Sequence, residues 1–248
     1  WEERGMPAGE ELAARLQKIR ADYKLGDAVV AVGVDRIDYT QGIPDRIRAV
    51  ARVLEMNPSW VGRFVFVELG APSRVHIKRY RDLITDIEAL ADEVNWKFQT
   101  DAWKPIHLLR DHHPPEAVYL WLRLADVCIV SSLHDGMNLV AKEFVAARDD
   151  EGGVLVLSEF TGAARELSDA LIVNPYAIED FAEAIRRAVE MSPAEKRARM
   201  RRLRQQVAER NVYRWARDLI LQTVRVARGA TDAEQSREHV RPTVSSTA

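Results

Sequence analysis

Cysteine is almost absent from this 248-residue sequence: Cys128 stands alone, inside the apolar run ADVCIV. One thiol cannot staple a fold internally. A reducing cytoplasm therefore fits, and a buried, inert side chain is the expectation. Long apolar runs are missing too. None approaches the roughly 20 residues that cross a bilayer, and no N-terminal secretory pattern is present. Neither sign of charge is in excess. With 36 Lys and Arg against 38 Asp and Glu, the formal net charge is −2, which argues against nucleic acid or a membrane surface as a partner. The first strand is followed by GVDRIDYTQG, without the G-x-G-x-x-G spacing of a dinucleotide site, so a dinucleotide-dependent oxidoreductase is poorly supported. An initiating methionine is also missing. Opening on Trp1, the chain reads as processed, cut or incomplete, and an absent half would carry part of any site.

What is present is a regular alternation. Hydrophobic residues make up 47%, enough for a substantial core. Six short apolar runs (GDAVVAVGV, RFVFVELG, PIHLL, DVCIVSS, GGVLVLS and ALIVNP) read as strands, the first ending near Gly33. Helical spacing recurs between them. Leu12, Leu16 and Ile19 form a stripe within 8–24, and PDRIRAVARVLEMNP opens at Pro44. SRVHIKRYRDLITDIEALADEVN, PPEAVYLWLRLA, NLVAKEFVAARD, the short GAAREL and AIEDFAEAIRRAVEM follow, then two helices from Pro193 onward. Strands that are apolar throughout, rather than alternating, belong to a parallel sheet covered on both faces. The expected fold is α/β, a Rossmann-like doubly wound parallel sheet, which binds ligands outside the carboxyl ends of its strands. Residues 1–24 read as a helical lead-in and 25–228 as the domain with its last helix. The polar, aperiodic stretch 229–248 reads as a disordered tail.

Two stretches at strand ends carry unusual chemistry. In SSLHDGMNLVAKE, after the fourth strand, a turn at Asp135-Gly136 leads into a helix start. Unpaired N–H groups and partial positive charge there suit a phosphate, and Gly136 lets a ligand approach the backbone. Glu143, one turn in from Leu139, is placed to accept from ribose hydroxyls, and Asp135 to hold sugar hydroxyls. The plainer alternative is that Asp135 caps the helix and Glu143 is solvated. In GVDRIDYTQG, Arg36 follows the first strand and points into the crevice, where a guanidinium can clamp a diphosphate. Its plainer alternative is an ion pair with Asp35 or Asp38.

Together GVDRIDYTQGIPDR, SRVHIKRYRDL, ADVCIVSSLHDGMNLVAKEFVAA, GVLVLSEFTGAARELSDALIVNPY and NVYRWARDLI resemble the C-terminal half of glycosyltransferase family 20, the trehalose-6-phosphate synthases. The resemblance implies a GT-B architecture, two Rossmann-like domains facing across a cleft. This sequence would be the donor-binding domain, and the N-terminal acceptor domain would be missing from it. The resemblance also implies transfer of glucose, with retention, from UDP-glucose (GDP-glucose in some members) to glucose 6-phosphate. No metal and no cofactor beyond the nucleotide-sugar is then expected, and the small-molecule partners are that donor and a sugar phosphate. By position, Arg36 would bind the donor diphosphate. Asp135 and the backbone of Gly136, Met137 and Asn138 would bind the sugar hydroxyls. Leu139 and Val140 would give N–H groups to the diphosphate, and Glu143 would hold the ribose. Front-face attack leaves no enzymic nucleophile to seek. The catalytic roles of Arg36 and Asp135 would be positioning and stabilising the leaving group. Two positions depart from the family pattern. The lysine of DYTKG, which would pair with the arginine to neutralise the diphosphate, is Gln41, which can still donate a hydrogen bond to the donor but supplies no charge. The arginine before DGMN is His134, which would either replace its role or serve as a structural hydrogen-bonding histidine.

Other features read as ordinary. The basic run 196–206 reads as a solvated helix face, and His112 and His113 lack further ligands at metal spacing. Trp96, Trp103 and Trp121 read as core or interface aromatics, with carbohydrate stacking left open for Trp103. The apolar residues Tyr213, Trp215, Leu219 and Ile220 of the last helix make self-association into a homo-oligomer an expectation.

Overall fold

The computed structural model describes residues 5–238, with side chains described through 226. It has six strands, β1 Val29–Arg36, β2 Phe64–Ala71, β3 Ile106–Leu109, β4 Val127–Val130, β5 Val154–Ser158 and β6 Leu171–Val173. The helices are α1 Gly9–Asp22, α2 Ile43–Met56, α3 Lys78–Phe98, α4 Pro115–Leu124, α5 Leu139–Ala147, α6 Ile178–Glu190, α7 Pro193–Glu209 and α8 Val212–Glu238, with short 3-10 turns at Pro58–Trp60 and Gly162–Arg165. All strand pairings are parallel, in the order β3-β2-β1-β4-β5-β6.

Alternation along each strand feeds two cores. Val30, Val32, Val65 and Val67 face Leu12 of α1, Leu122 of α4, Phe144 and Val145 of α5, and Met200 and Leu203 of α7. Ala31, Phe64, Phe66, Ile129 and Val156 face Ile47 and Val50 of α2, Ile87 of α3, and Phe181 and Ile185 of α6. Adjacent strands β1 and β4 therefore send their following helices, α2 and α5, to opposite faces of the sheet. Divergence of that kind opens a crevice at the strands' carboxyl ends. The seam itself is short. β1 and β2 are in register over eight residue pairs, whereas β1 meets β4 only at Ala31↔Val127 and Val32↔Cys128.

The structure divides into two compact units, Trp1–Val207 and Ala208–Ala248. The break falls at the end of α7, not near 228, and α1 belongs to the first unit because Leu12 sits in its core. The second unit is built on α8, which continues to Glu238. Ala, Glu, Gln and Arg sustain a helix without an apolar stripe, so the aperiodic composition from 229 does not end it. The rest of the expected tail, 239–248, lies outside the described residues. Two further boundaries differ from expectation. β1 runs through Gly33 to Arg36, since Gly33 is a site of close approach, not a terminator: a Cβ there would collide with Arg46 and Glu68. The third helix begins at Lys78, after an irregular stretch in which Arg74 has φ 47°.

Three aromatics resolve separately. Trp121 is in the core, edge-on to Tyr23 at 5.0 Å. Trp96 is exposed on α3, contrary to a core role. Trp103 lines a depression of about 250 Å³ with Tyr23, Lys104 and His107, at the amino end of β3 and so away from the crevice. Cys128 is fully buried, and desolvation pushes its thiol pKa up. No described helix is long and apolar enough to cross a membrane.

Candidate functional site

The two stretches singled out in the sequence meet at the β1–β4 crevice. The N–H of Leu133 donates to the Thr40 carbonyl at 2.7 Å, and the Ser132 hydroxyl donates to Gln41 Oε1 at 2.8 Å. The Ser131 hydroxyl lies 3.0 Å from the Gln41 carbonyl and 2.9 Å from that of Gly42. Gly42 has φ 63°, and a Cβ there would strike the Ser131 carbonyl, so this close approach needs glycine.

Beneath this contact lies a buried charge cluster. Arg46, on α2, is fully buried. Its Nη1 is 2.7 Å from both Asp35 Oδ2 and Glu68 Oε2, and its Nε donates to Ser131 Oγ at 3.0 Å. Two carboxylates face one guanidinium, and Arg46 Nη2 and Glu68 Oε1 are left without hydrogen bonds. The Asp35 contact has ion-pair distance but not hydrogen-bond alignment, since Oδ2 also has no hydrogen-bond partner. Burial, partly offset by Arg46 and reinforced by Glu68, pushes the Asp35 carboxyl up to about 7. Burial likewise raises Glu68. The cluster is neutral when one proton is shared between the two acids.

Arg36, the last residue of β1, is exposed at the mouth of the crevice. Neither acid proposed as its surface partner is available. Asp35 pairs with Arg46, and Asp38 accepts from the Thr40 N–H, the Thr40 hydroxyl and the Tyr80 hydroxyl. Among the described residues Arg36 has no ion-pair partner, which leaves its guanidinium available to an anion.

On the opposite wall, Asn138 is the cap of α5, with φ 72° and its Oδ1 accepting from the Ala141 N–H at 3.0 Å. Asp135 organises the turn before it. Its Oδ1 accepts from the N–H groups of Met137 and Asn138, both at 3.0 Å, and its Oδ2 from Asn138 Nδ2 at 3.2 Å. Of the backbone expected to meet sugar hydroxyls, the N–H groups of Met137 and Asn138 are already donated to Asp135. The turn is also held from behind, as Gly162 N–H donates to the Asp135 carbonyl and Ala163 N–H to that of Met137. A Cβ on Gly162 would strike the Gly136 carbonyl. Leu139 and Val140 begin α5, and the unpaired N–H groups of a helix lie at such a start. Glu143 is half-buried one turn into α5 and is not without a partner. Lys142 pairs with Glu166 at 2.7 Å and braces α5 against the Gly162–Arg165 turn. His134 is exposed, with its N–H near the Thr40 carbonyl.

The sequence reading missed Arg46, Glu68, Ser131 and Ser132. Arg46 is one arginine in an amphipathic helix, and no local signal separates it from the solvated Arg48. The basic run of α7 is paired: Arg199 with Glu195, Arg201 with Glu151 and Arg202 with Asp169. Among the described residues no group of three or more His, Cys, Asp or Glu is placed to hold a metal ion.

The profile of glycosyltransferase family 20 matches residues 6–224. The trehalose-6-phosphate synthase of Mycolicibacterium gilvum is 45% identical over 207 residues, which are 83% of this chain and 41% of that protein. The UDP-forming alpha,alpha-trehalose-phosphate synthase of Candida albicans is 40% identical over 188 residues, 76% of this chain and 39% of that protein. Among solved structures, the Burkholderia xenovorans UDP-forming synthase in complex with glucose-6-phosphate superposes with TM-score 0.80 at 38% identity, covering 84% of this chain and 46% of that one. An E. coli structure bound with UDP-2-fluoro glucose gives TM-score 0.80 at 35% identity, covering 88% and 47%. The chain thus spans about two fifths of the length of the curated relatives it matches. Its parallel sheet is of the type found in GT-B trehalose-phosphate synthases, and the chain belongs to glycosyltransferase family 20.

Proposed function

We propose that this chain is the donor-binding half of a retaining glucosyltransferase. The whole protein would move glucose from UDP-glucose, or GDP-glucose, to glucose 6-phosphate and form trehalose 6-phosphate. The observation that carries this reading is the meeting of the Arg36–Gln41 loop with the start of α5 across the β1–β4 crevice, joined at Thr40–Leu133 and Gln41–Ser132. The diphosphate would sit between the Arg36 guanidinium and the N–H groups of Leu139 and Val140. Asp135 and Gly136 would border the sugar, and Glu143 would face the ribose. Charge on the departing diphosphate is then met by fixed donors, which is where such a site lowers the barrier. The acceptor would be held largely by a partner domain. Glucose 6-phosphate and a UDP-glucose analogue are the molecules bound in the structural relatives. Titration of the chain with UDP and with GDP, followed by amide chemical shifts, tests the proposal. Saturable shifts at Arg36 and along 135–143 are expected, and a folded sample with no shifts for either nucleotide overturns it.

A second reading rests on Gln41, an uncharged side chain where the family pattern has lysine. A nucleotide-sugar-binding protein without turnover, or a relative acting on another acceptor, would also keep Arg36 and Asp135. Gln41→Lys in the full-length protein separates these. A gain in turnover on the order of 10²-fold marks lost catalysis, and little change marks adaptation to Gln41.

A further inference from the structure

Gln41 is held by more than one group, and the hydrogen bonds around it have a fixed direction. That direction starts at the cap of α5. The Ala141 N–H donates to Asn138 Oδ1 at 3.0 Å, and a backbone N–H can only donate. The Asn138 amide is thereby oriented, with its Nδ2 toward Ser132 Oγ at 3.3 Å and Asp135 Oδ2 at 3.2 Å. Ser132 Oγ, accepting from Asn138, has its own proton left to give. It gives that proton to Gln41 Oε1 at 2.8 Å. A flipped Gln41 amide would make Ser132 Oγ accept a second N–H and leave the hydroxyl proton without this acceptor, so the observed arrangement is the one that uses both the donor and an acceptor of Ser132. Gln41 is consequently presented with its oxygen occupied and its Nε2, which has no partner among the described residues, as the end left over.

The main chain of Gln41 is gripped as well. Ser131 Oγ bonds the carbonyls of Gln41 and Gly42, and is itself held by Arg46 Nε. Ser132 is fully buried and packed under Ser158, whose hydroxyl donates to the Ser132 carbonyl at 2.6 Å. The grip is therefore built on the sheet, not on a loose loop.

We infer that Ser132 is a positioning residue that sets the polarity of Gln41, turning its amide N–H group outward as a neutral hydrogen-bond donor to the diphosphate of the donor substrate. This rests on the donor-site reading above. The carboxamide has two chemically opposite ends, and only the N–H end suits a polyanion. A free glutamine would divide its time between both. The Ser132 hydroxyl removes that ambiguity, and the site acquires a directed donor without acquiring charge.

A double-substitution cycle in this chain tests the inference, with UDP as the probe and calorimetry as the readout. Ser132→Ala is expected to weaken UDP binding about fivefold, the worth of one neutral hydrogen bond, and Gln41→Ala by a similar factor. In the Gln41→Ala background, Ser132→Ala is expected to change nothing further. An equal loss in both backgrounds, or no loss in either, overturns the inference. A second arm uses no ligand: Ser132→Ala should move the Gln41 side-chain ¹³Cδ and ¹⁵Nε2 resonances, and unmoved resonances also overturn it. Failure of the unsubstituted chain to bind UDP, with the resonances moving as expected, would overturn the donor site itself and leave Gln41 no diphosphate to serve.

Discussion

Glu68→Gln is the most informative single change to the body of this domain. Two buried carboxylates share one buried guanidinium, so at high pH the cluster holds an excess negative charge in a place without water. The Asp35 carboxyl ordinarily titrates near 3.8 and is pushed up to about 7 in the fold. A raised carboxyl binds more protons folded than unfolded. Its contribution to stability is thus greatest near pH 4 and is lost as pH climbs through 7, by up to about 4 kcal/mol if the full shift is realised. Replacing Glu68 with glutamine keeps an oxygen that can accept from Arg46 Nη1 and removes the excess charge, leaving a one-to-one Arg46–Asp35 pair. At pH 5 wild type and variant are both neutral there and should be equally stable. At pH 8 the variant should be more stable by about 1–3 kcal/mol. His107 titrates in the same window with the opposite sign and cancels in the comparison. Urea unfolding at pH 5 and pH 8 measures both differences. A variant destabilised by more than about 1 kcal/mol at pH 8, or a difference that does not grow between the two pH values, would refute the account of the cluster.

Other outcomes follow from the same contacts. Arg46→Met should cost about 3–5 kcal/mol at pH 8, because it strands the two acids, and chemical denaturation reads this directly. Gly33→Ala should destabilise by about 1–3 kcal/mol or more, since its methyl enters the space of Arg46 and Glu68. A melt equal to wild type would show that the cluster can move aside. Burial, with Lys104 nearby, holds His107 down at about 4. The fold then binds fewer protons than the unfolded chain between about 4 and 6.5, and stability rises with pH across that window. Relative to wild type, His107→Phe should therefore shift the Tm difference between pH 5 and pH 7 in favour of pH 5, since the Asp35 contribution is common to both proteins. Asn138→Ala removes the α5 cap and should cost about 1 kcal/mol, read by thermal melts. Tyr213, Trp215, Leu219 and Ile220 of α8 are exposed, so the chain should self-associate, and a clean monomer by light scattering at high concentration would count against that.

The sheet was legible because its strands are short, apolar throughout and separated by amphipathic helices, a pattern set by burial on both faces. DGMNLV was legible because Gly, Asp and Asn cluster at a helix start, where backbone groups need partners. Arg46 was not, because a charge on a helix is placed by default on the wet side, and only the tertiary arrangement reveals two acids beneath it. Gly33 misled for a related reason. In one dimension a strand glycine resembles an ending, and the guanidinium that requires it is thirteen positions away. The serine pair was missed because serines at a strand end look like the beginning of any loop. The polarity they impose exists only once α5 is in place.

The short seam between β1 and β4 has a mechanical consequence. Only two residue pairs zip the strand β1 to β4, and past them the two sides are joined by the Leu133 N–H to the Thr40 carbonyl and by side chains, Arg46 to Ser131 and Ser132 to Gln41. A ligand lying across the crevice would touch one side through Arg36 and the other through α5. It would then act as a splint across the shortest ladder of the sheet. Its presence should be felt as slower amide hydrogen exchange in β1 and β4 beneath it, well beyond the atoms it contacts.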